Sequence, residues 1–258
     1  MFRPVARRLL ASEVFDQIRD RILRGEMAAG TSLPAERVLA TLLGVNRNAV
    51  REGLKRLQQA GLVAIQQGGA TRVLDFKRTA GLELLATMVV GADGAVDTGI
   101  VRGILELRTE LAPIVGRLAA QRATRENIGE LRTVVSQMRD ADGDTSILAR
   151  LALDFWAETV SATQNLALQL AFNSLAVSYG SVLEQMRHVM SEEIRAVEDY
   201  AGLVEAIAAK QPEKAATVAR RIASRGEAAV GRVASAVDVF QRATGSTPGR
   251  KRKGGRSG

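Results

Sequence analysis

Asn46, Arg47, Asn48 and Arg51 stand together just after the tight link Leu43-Gly44-Val45. An arginine can donate two hydrogen bonds to O6 and N7 of guanine, and a side-chain amide can pair with adenine. At the first turn of a helix the same residues sit beside free backbone amides, which favour phosphate. The cluster therefore offers base and phosphate recognition. The plain alternative is a solvated polar helix start, where Asn and Arg are ordinary.

Other chemistry is poorly supplied. The absence of cysteine excludes a disulfide framework, a thiolate zinc site and a cysteine nucleophile. The single histidine, His188, excludes multi-histidine metal sites and leaves few routes to a catalytic triad. Its bland reading is an ordinary surface or helix-end histidine. The basic run GRKRKGG is not a phosphate loop, because no strand precedes it and no helix follows. The chain is not expected to be an enzyme.

The elements that must position the polar cluster are legible. Leu10, Val14, Ile18 and Ile22 recur at helical spacing and predict a helix over about 11–24. Pro34 suits the first turn of a second helix through PAERVLATLL, which stops at Gly44. Asn46 is a good N-cap for a third helix over about 47–60, with Val50, Leu54 and Leu57 as its buried stripe. LVAIQ and TRVLDF then alternate as two strands around QGGA, a hairpin with glycines at its tip. Helices, tight turn and hairpin make a winged helix-turn-helix, with the third helix presenting its N-terminus to a major groove.

Charge divides the chain in the same way. Its net charge of +8 is +7 over 1–78, −4 over 79–242 and +5 over 243–258. A charge split of this kind suggests that one part meets a polyanion. The last segment, ATGSTPGRKRKGGRSG, has no apolar period and is expected to be a disordered basic tail. It either adds phosphate attraction or is a solubilising end. With 46% hydrophobic and 25% charged residues, the composition is that of a soluble globular protein. The longest apolar run, Leu84 to Gly91, is too short to span a bilayer. The basic start lacks the apolar core and cleavage site of a signal peptide, so a cytoplasmic protein without a membrane partner is expected.

Residues 79–242 show helical patterns and no strand signal, with segments near 79–90, 98–122, 124–140, 144–163, 165–189, 192–209 and 213–240. Pro113 inside the second predicts a kink. The expected fold class is mainly α: a winged helix-turn-helix of three helices and a hairpin, followed by an all-α bundle.

The run LPAERVLATLLGVNRNAVREGLKRLQQAGLVAIQQGGATRV resembles the N-terminal domain of GntR-type bacterial transcription regulators, and within them the FadR branch. The resemblance implies DNA contacts at Arg37, at Asn46, Arg47, Asn48 and Arg51, and at the wing-tip residues Gln67 and Gly68. Arg37 and Arg51 suit backbone positioning, and Arg47 suits base reading. Asn46, Asn48 and Gln67 depart from the threonines and histidine of the branch's namesake, so the same operator is not implied.

The resemblance also implies that the helical part is a ligand-binding and dimerisation domain. Most such domains hold a metal through an Asp–His pair four apart and two further histidines. The corresponding positions here are Ala152 and Trp156, then Tyr200 and Ile222, so no bound metal is expected. Trp156 and Tyr200 are expected to line the same cavity, with Phe172 and Tyr179. Arg108 matches an arginine that faces the cavity in the family. A buried arginine needs an anion. That anion is either an acidic, largely apolar ligand or an internal partner such as Glu106, Glu110 or Asp154.

These readings imply a ligand-responsive regulator, most simply a repressor, bound as a homodimer to a palindromic double-stranded DNA operator. By resemblance its effector is a fatty acyl-CoA, a fatty acid or a related lipid-derived acid. A constitutive DNA-binding or architectural protein with a ligand-blind helical domain, or a regulator of another small organic acid, remains open.

Overall fold

A computed structural model describes residues 7–66, 69–90, 96–186 and 188–244. Within it the residues up to Thr87 form one compact unit and those from Met88 onward a second. The division falls some residues beyond the segment boundary at 78. The intervening stretch folds back on the first unit, where the Thr79 hydroxyl donates to the Gly61 carbonyl at 2.7 Å.

In the first unit, α1 (Arg7–Leu23) packs against α3 (Arg47–Gln59). The buried stripe of α1 is Ala11, Val14, Ile18 and Ile22, while Leu10 is largely exposed. Between them runs α2 (Glu36–Leu43). Gly44 ends it in the left-handed conformation at φ 65°, and its amide returns to the carbonyls of Ala40 and Thr41. A side chain there would be strained, and the sharp turn into α3 depends on this position. Asn46 begins α3 by accepting from the Ala49 amide at 2.9 Å. Val50, Leu54 and Leu57 are buried beneath it.

The hairpin is shorter than its sequence pattern predicts. β1 (Val63–Ala64) pairs antiparallel with β2 (Arg72–Val73) in the register Val63 opposite Val73. A single bridge from Ser32 to Arg72 extends the pairing. The helix expected over 79–90 is instead three pieces: α4 (Phe76–Thr79), a 3-10 turn (Leu82–Leu84) and α5 (Leu85–Met88). The break lies at Ala80 and Gly81, both extended.

The second unit is helical throughout. Its elements are α6 (Thr98–Arg122), α7 (Arg125–Asp140), α8 (Thr145–Ser161), α9 (Leu166–Met186), α10 (Ser191–Ile194), α11 (Val197–Ala208) and α12 (Pro212–Thr244). Oxygen caps fix four starts: Asp97 for α6, Thr124 with Asn127 for α7, Asp144 for α8 and Asn165 for α9. Each satisfies amides that the first helical turn leaves free. The segment expected over 192–209 is divided at Arg195 and Ala196 into α10 and α11. Pro113 lies inside α6. The two long helices α6 and α12 pack along each other. Phe155, Leu203, Ile207 and Ile222 are among the fully buried residues of the core. α12 includes the first two residues of the expected basic tail, and the rest of that tail lies outside the described residues.

Candidate nucleic-acid interface and effector cavity

In the first unit the start of α3 carries the candidate interface. Arg47 and Asn48 are exposed, as is Arg37 on α2. None of the three makes a side-chain hydrogen bond or ion pair among the described residues. Arg51 differs, because its Nε donates to Oε2 of Glu36 at 2.7 Å. Asn46 also differs, because its Oδ1 caps the helix and leaves only its amide nitrogen to donate outward. Gln67 and Gly68 lie outside the described residues. The arrangement therefore presents two unengaged donors, Arg47 and Asn48, at a helix N-terminus, where backbone amides favour phosphate. This is the chemistry of groove recognition.

In the second unit a cavity of about 70 Å³ opens between α6, α8 and α9. That volume holds several water-sized groups. Arg108, Trp156, Phe172 and Tyr179 all contribute to its wall, beside aliphatic residues such as Ile104 and Leu175. Tyr200 does not line it. Its ring sits edge-on to Phe155 with centroids 4.9 Å apart, fully buried in the neighbouring core. The positions aligned with metal ligands in relatives, Ala152, Trp156, Tyr200 and Ile222, are all buried. Among the described residues no three His, Cys, Asp or Glu groups come together as a metal site would need. His188 is exposed, just beyond the end of α9.

Arg108 is not paired with Glu106, Glu110 or Asp154. Glu106 and Glu110 meet Arg102 and Arg220 instead, and Asp154 is exposed. The partner is Glu193 on α10. Nη1 of Arg108 donates to Glu193 Oε2 at 3.0 Å, and Nη2 donates to Oε1. The Tyr179 hydroxyl donates to the same Oε1 at 3.2 Å. The guanidinium also lies over the rings of Tyr179 and Trp156, at 4.5 and 5.8 Å from their centroids. Glu193 is fully buried. Burial, the largest single influence, lowers the tendency of Arg108 to hold its proton, but the Glu193 carboxylate together with Tyr179 and Tyr200 outweighs it and the net shift is upward. Burial pushes the Tyr179 phenol well above its ordinary range, against the pull of Arg108.

Glu193 is the residue that sequence reasoning missed. One signal was available: Met190, Glu193 and Ile194 stand at i, i+3 and i+4, so the glutamate shares a face with two buried apolar residues. Four buried polar atoms lack a hydrogen-bond partner among the described residues: Thr109 Oγ1, Trp156 Nε1, Ser178 Oγ and Tyr200 Oη. Only Trp156 among these residues belongs to the cavity wall.

A winged helix with free donors at its recognition helix, joined to a helical domain that encloses a cavity, defines a DNA-binding transcription regulator with a small-molecule effector domain. Residues 10–73 match the family described as "Bacterial regulatory proteins, gntR family", and residues 103–225 match the FCD domain. The chain is 40% identical over 218 residues to the HTH-type transcriptional regulator Mce2R of Mycobacterium tuberculosis, covering 84% of this chain and 90% of that protein. It is 42% identical over 111 residues to a fatty acid metabolism regulator protein of Vibrio parahaemolyticus, covering 43% of this chain and 39% of that one. The solved structure of Lar, which controls expression of the Listeria monocytogenes agr system, shares the fold with a TM-score of 0.56 and 15% identity, over 90% of this chain and 99% of that one. The chain belongs to the GntR family and carries an FCD domain, the FadR-like arrangement. Members of this family regulate transcription and are not enzymes.

Proposed function

We propose that the protein is an effector-controlled repressor. It binds a palindromic operator as a homodimer, with Arg47 reading a base, Asn46 and Asn48 beside it, and Arg37 and Arg51 holding phosphate. Gln67 and Gly68 supply the wing contacts. The effector enters the cavity walled by Arg108, Trp156, Phe172 and Tyr179, and Tyr200 lies in the core behind it, reaching the wall residue Trp156 through Phe155. The effector class is a lipid-derived acid, either a fatty acid or a fatty acyl-CoA, and the protein works in the cytoplasm. The observation that carries this reading is one arginine in the wall of an otherwise apolar cavity. An apolar chain with an anionic end matches that wall. Release from DNA requires the effector to bind one dimer geometry more tightly than another.

A mobility-shift titration tests it. The protein should retain its operator without ligand and lose it on addition of a fatty acid or acyl-CoA, with matching thermal stabilisation. Unchanged operator binding and melting across both ligand types would refute the effector class.

One observation favours a second reading. Arg108 already has a counter-ion in Glu193, as a ligand-blind DNA-binding protein with a filled core would have. The same titration separates the two.

A further inference from the structure

Arg108 belongs to two neighbourhoods at once. Its side chain lines the cavity, whereas Glu193, which engages it, is not part of the cavity wall. The arginine side chain is 13% exposed and the glutamate side chain 0%. A second carboxylate that entered the cavity and reached Arg108 would lie beside the carboxylate already there. Two like charges in a buried setting repel strongly. Both terminal nitrogens of Arg108 are already engaged by Glu193, so its end-on fork is taken and a newcomer meets only the Nε edge, beside the charge of Glu193.

We infer that Glu193 is an internal counter-ion standing in the place of an effector carboxylate, so that an acidic ligand is held at Arg108 only by exchange with Glu193. The inference rests on the reading of this cavity as the effector site and deepens it. Glu193 becomes the residue that sets the preference between charged and neutral ligands of one chain length. With Glu193 in place, an apolar molecule with a neutral head meets little resistance, and a carboxylate must displace the native pair. The geometry of α10 suits such an exchange. It is a four-residue helix, held to α6 and α9 through the bonds Glu193 makes with Arg108 and Tyr179. Behind it lies Gly226 of α12, where an added Cβ would collide with Glu193 Oε2 and lie 2.5 Å from Met190 Cε. Withdrawal of Glu193 therefore alters the contact between α10 and the longest helix of the domain.

The test compares octanoate with octan-1-ol, titrated into the full chain by calorimetry. Glu193→Gln keeps the side-chain shape and removes the competing charge. Octanoate should bind this variant roughly ten- to a hundredfold more tightly than the parent, the range expected for one charged hydrogen-bonding partner. Octan-1-ol should bind both within about threefold. Tyr179→Phe removes one of the bonds that hold Glu193 and should shift octanoate in the same direction by a smaller factor. It decides the matter alone if Glu193→Gln does not fold. Equal or weaker octanoate binding in the variants, with octan-1-ol still bound, would overturn the exchange and leave the cavity reading standing. If neither compound binds any form, the cavity reading fails, and this inference with it.

Discussion

Arg51 on α3 donates from Nε to Oε2 of Glu36 on α2 across 2.7 Å, tying the two helices of the turn together. The arginine side chain is 58% exposed and the glutamate 39%, so the pair is worth no more than about 1 kcal/mol. Arg51 can exchange it for a phosphate. Arg47 has no such tie among the described residues, so reaching a base sets it only the entropy of ordering one side chain.

Arg47→Ala should therefore lose base discrimination by roughly 1–3 kcal/mol at one operator position. Filter binding against operators altered base by base measures it. Unchanged preference at every position would remove α3 from the base-reading role.

Asn46 separates folding from recognition. Asn46→Ala should lower stability by about 0.5–2 kcal/mol through loss of the cap to Ala49. Asn46→Asp keeps the oxygen and favours the helix dipole, so it should fold like the parent and bind DNA more weakly. Urea unfolding beside a mobility shift distinguishes these. Equal destabilisation by both substitutions would show that the oxygen is not what holds the turn.

The helix starts of the second unit were readable because Asp97, Thr124 and Asp144 carry their own capping oxygens. The two broken segments were not. The break after Thr79 coincides with a hydroxyl that bonds Gly61, eighteen positions away, and no local period records that. The start of α3 was legible for the same reason as the caps, since Asn46 is a local signal. Of the cavity residues, Arg108 and Trp156 were legible through family position, and Phe172 and Tyr179 as scarce aromatics on the helices of the bundle. Tyr200 was drawn toward the cavity by family position too, but it packs on Phe155, which stands between it and the wall residue Trp156. Glu193 lies 85 positions from Arg108, and its neighbour Glu192 has the same side chain. The one local mark that separates the two is spacing: Glu193 stands three after Met190 and next to Ile194, both buried, and a four-residue helix is too short for that period to stand out.

Removing one side of the buried pair should be expensive. Glu193→Ala leaves Arg108 without its counter-charge and should lower stability by roughly 3–5 kcal/mol. The double variant Glu193→Leu with Arg108→Met should recover much of that loss, because apolar replacements of similar size are often neutral. A double-mutant cycle in urea reads the coupling, and strictly additive losses would deny it.

Gly226→Ala has a diagnostic sign. In an open helix interior this change stabilises by about 0.8–1 kcal/mol. Here the added carbon meets Glu193 and Met190, so we expect destabilisation of about 1–3 kcal/mol instead. A gain in thermal stability would mean that α10 yields without cost.

The chain has two tyrosines, and burial raises the phenol of both Tyr179 and Tyr200 well above the ordinary value. Each is neutral in the fold and ionises more readily once unfolded. Their contribution is therefore complete below about pH 10 and declines as pH rises above it toward the folded values. Tyrosinate absorbance should appear only in one cooperative step with alkaline unfolding. A gradual rise centred near pH 10 in the folded protein would contradict the burial of these rings.

Trp156 is the sole tryptophan of the chain, and it forms part of the cavity wall beside Arg108. Indole emission responds to a nearby cation and to whatever touches its ring nitrogen, which has no partner among the described residues. The protein thus carries an intrinsic optical gauge set beside its own pocket, with no second indole to blur the signal. A molecule that enters, or that draws Arg108 aside, writes itself into the colour and yield of a single fluorophore, and occupancy can be followed without attaching a label.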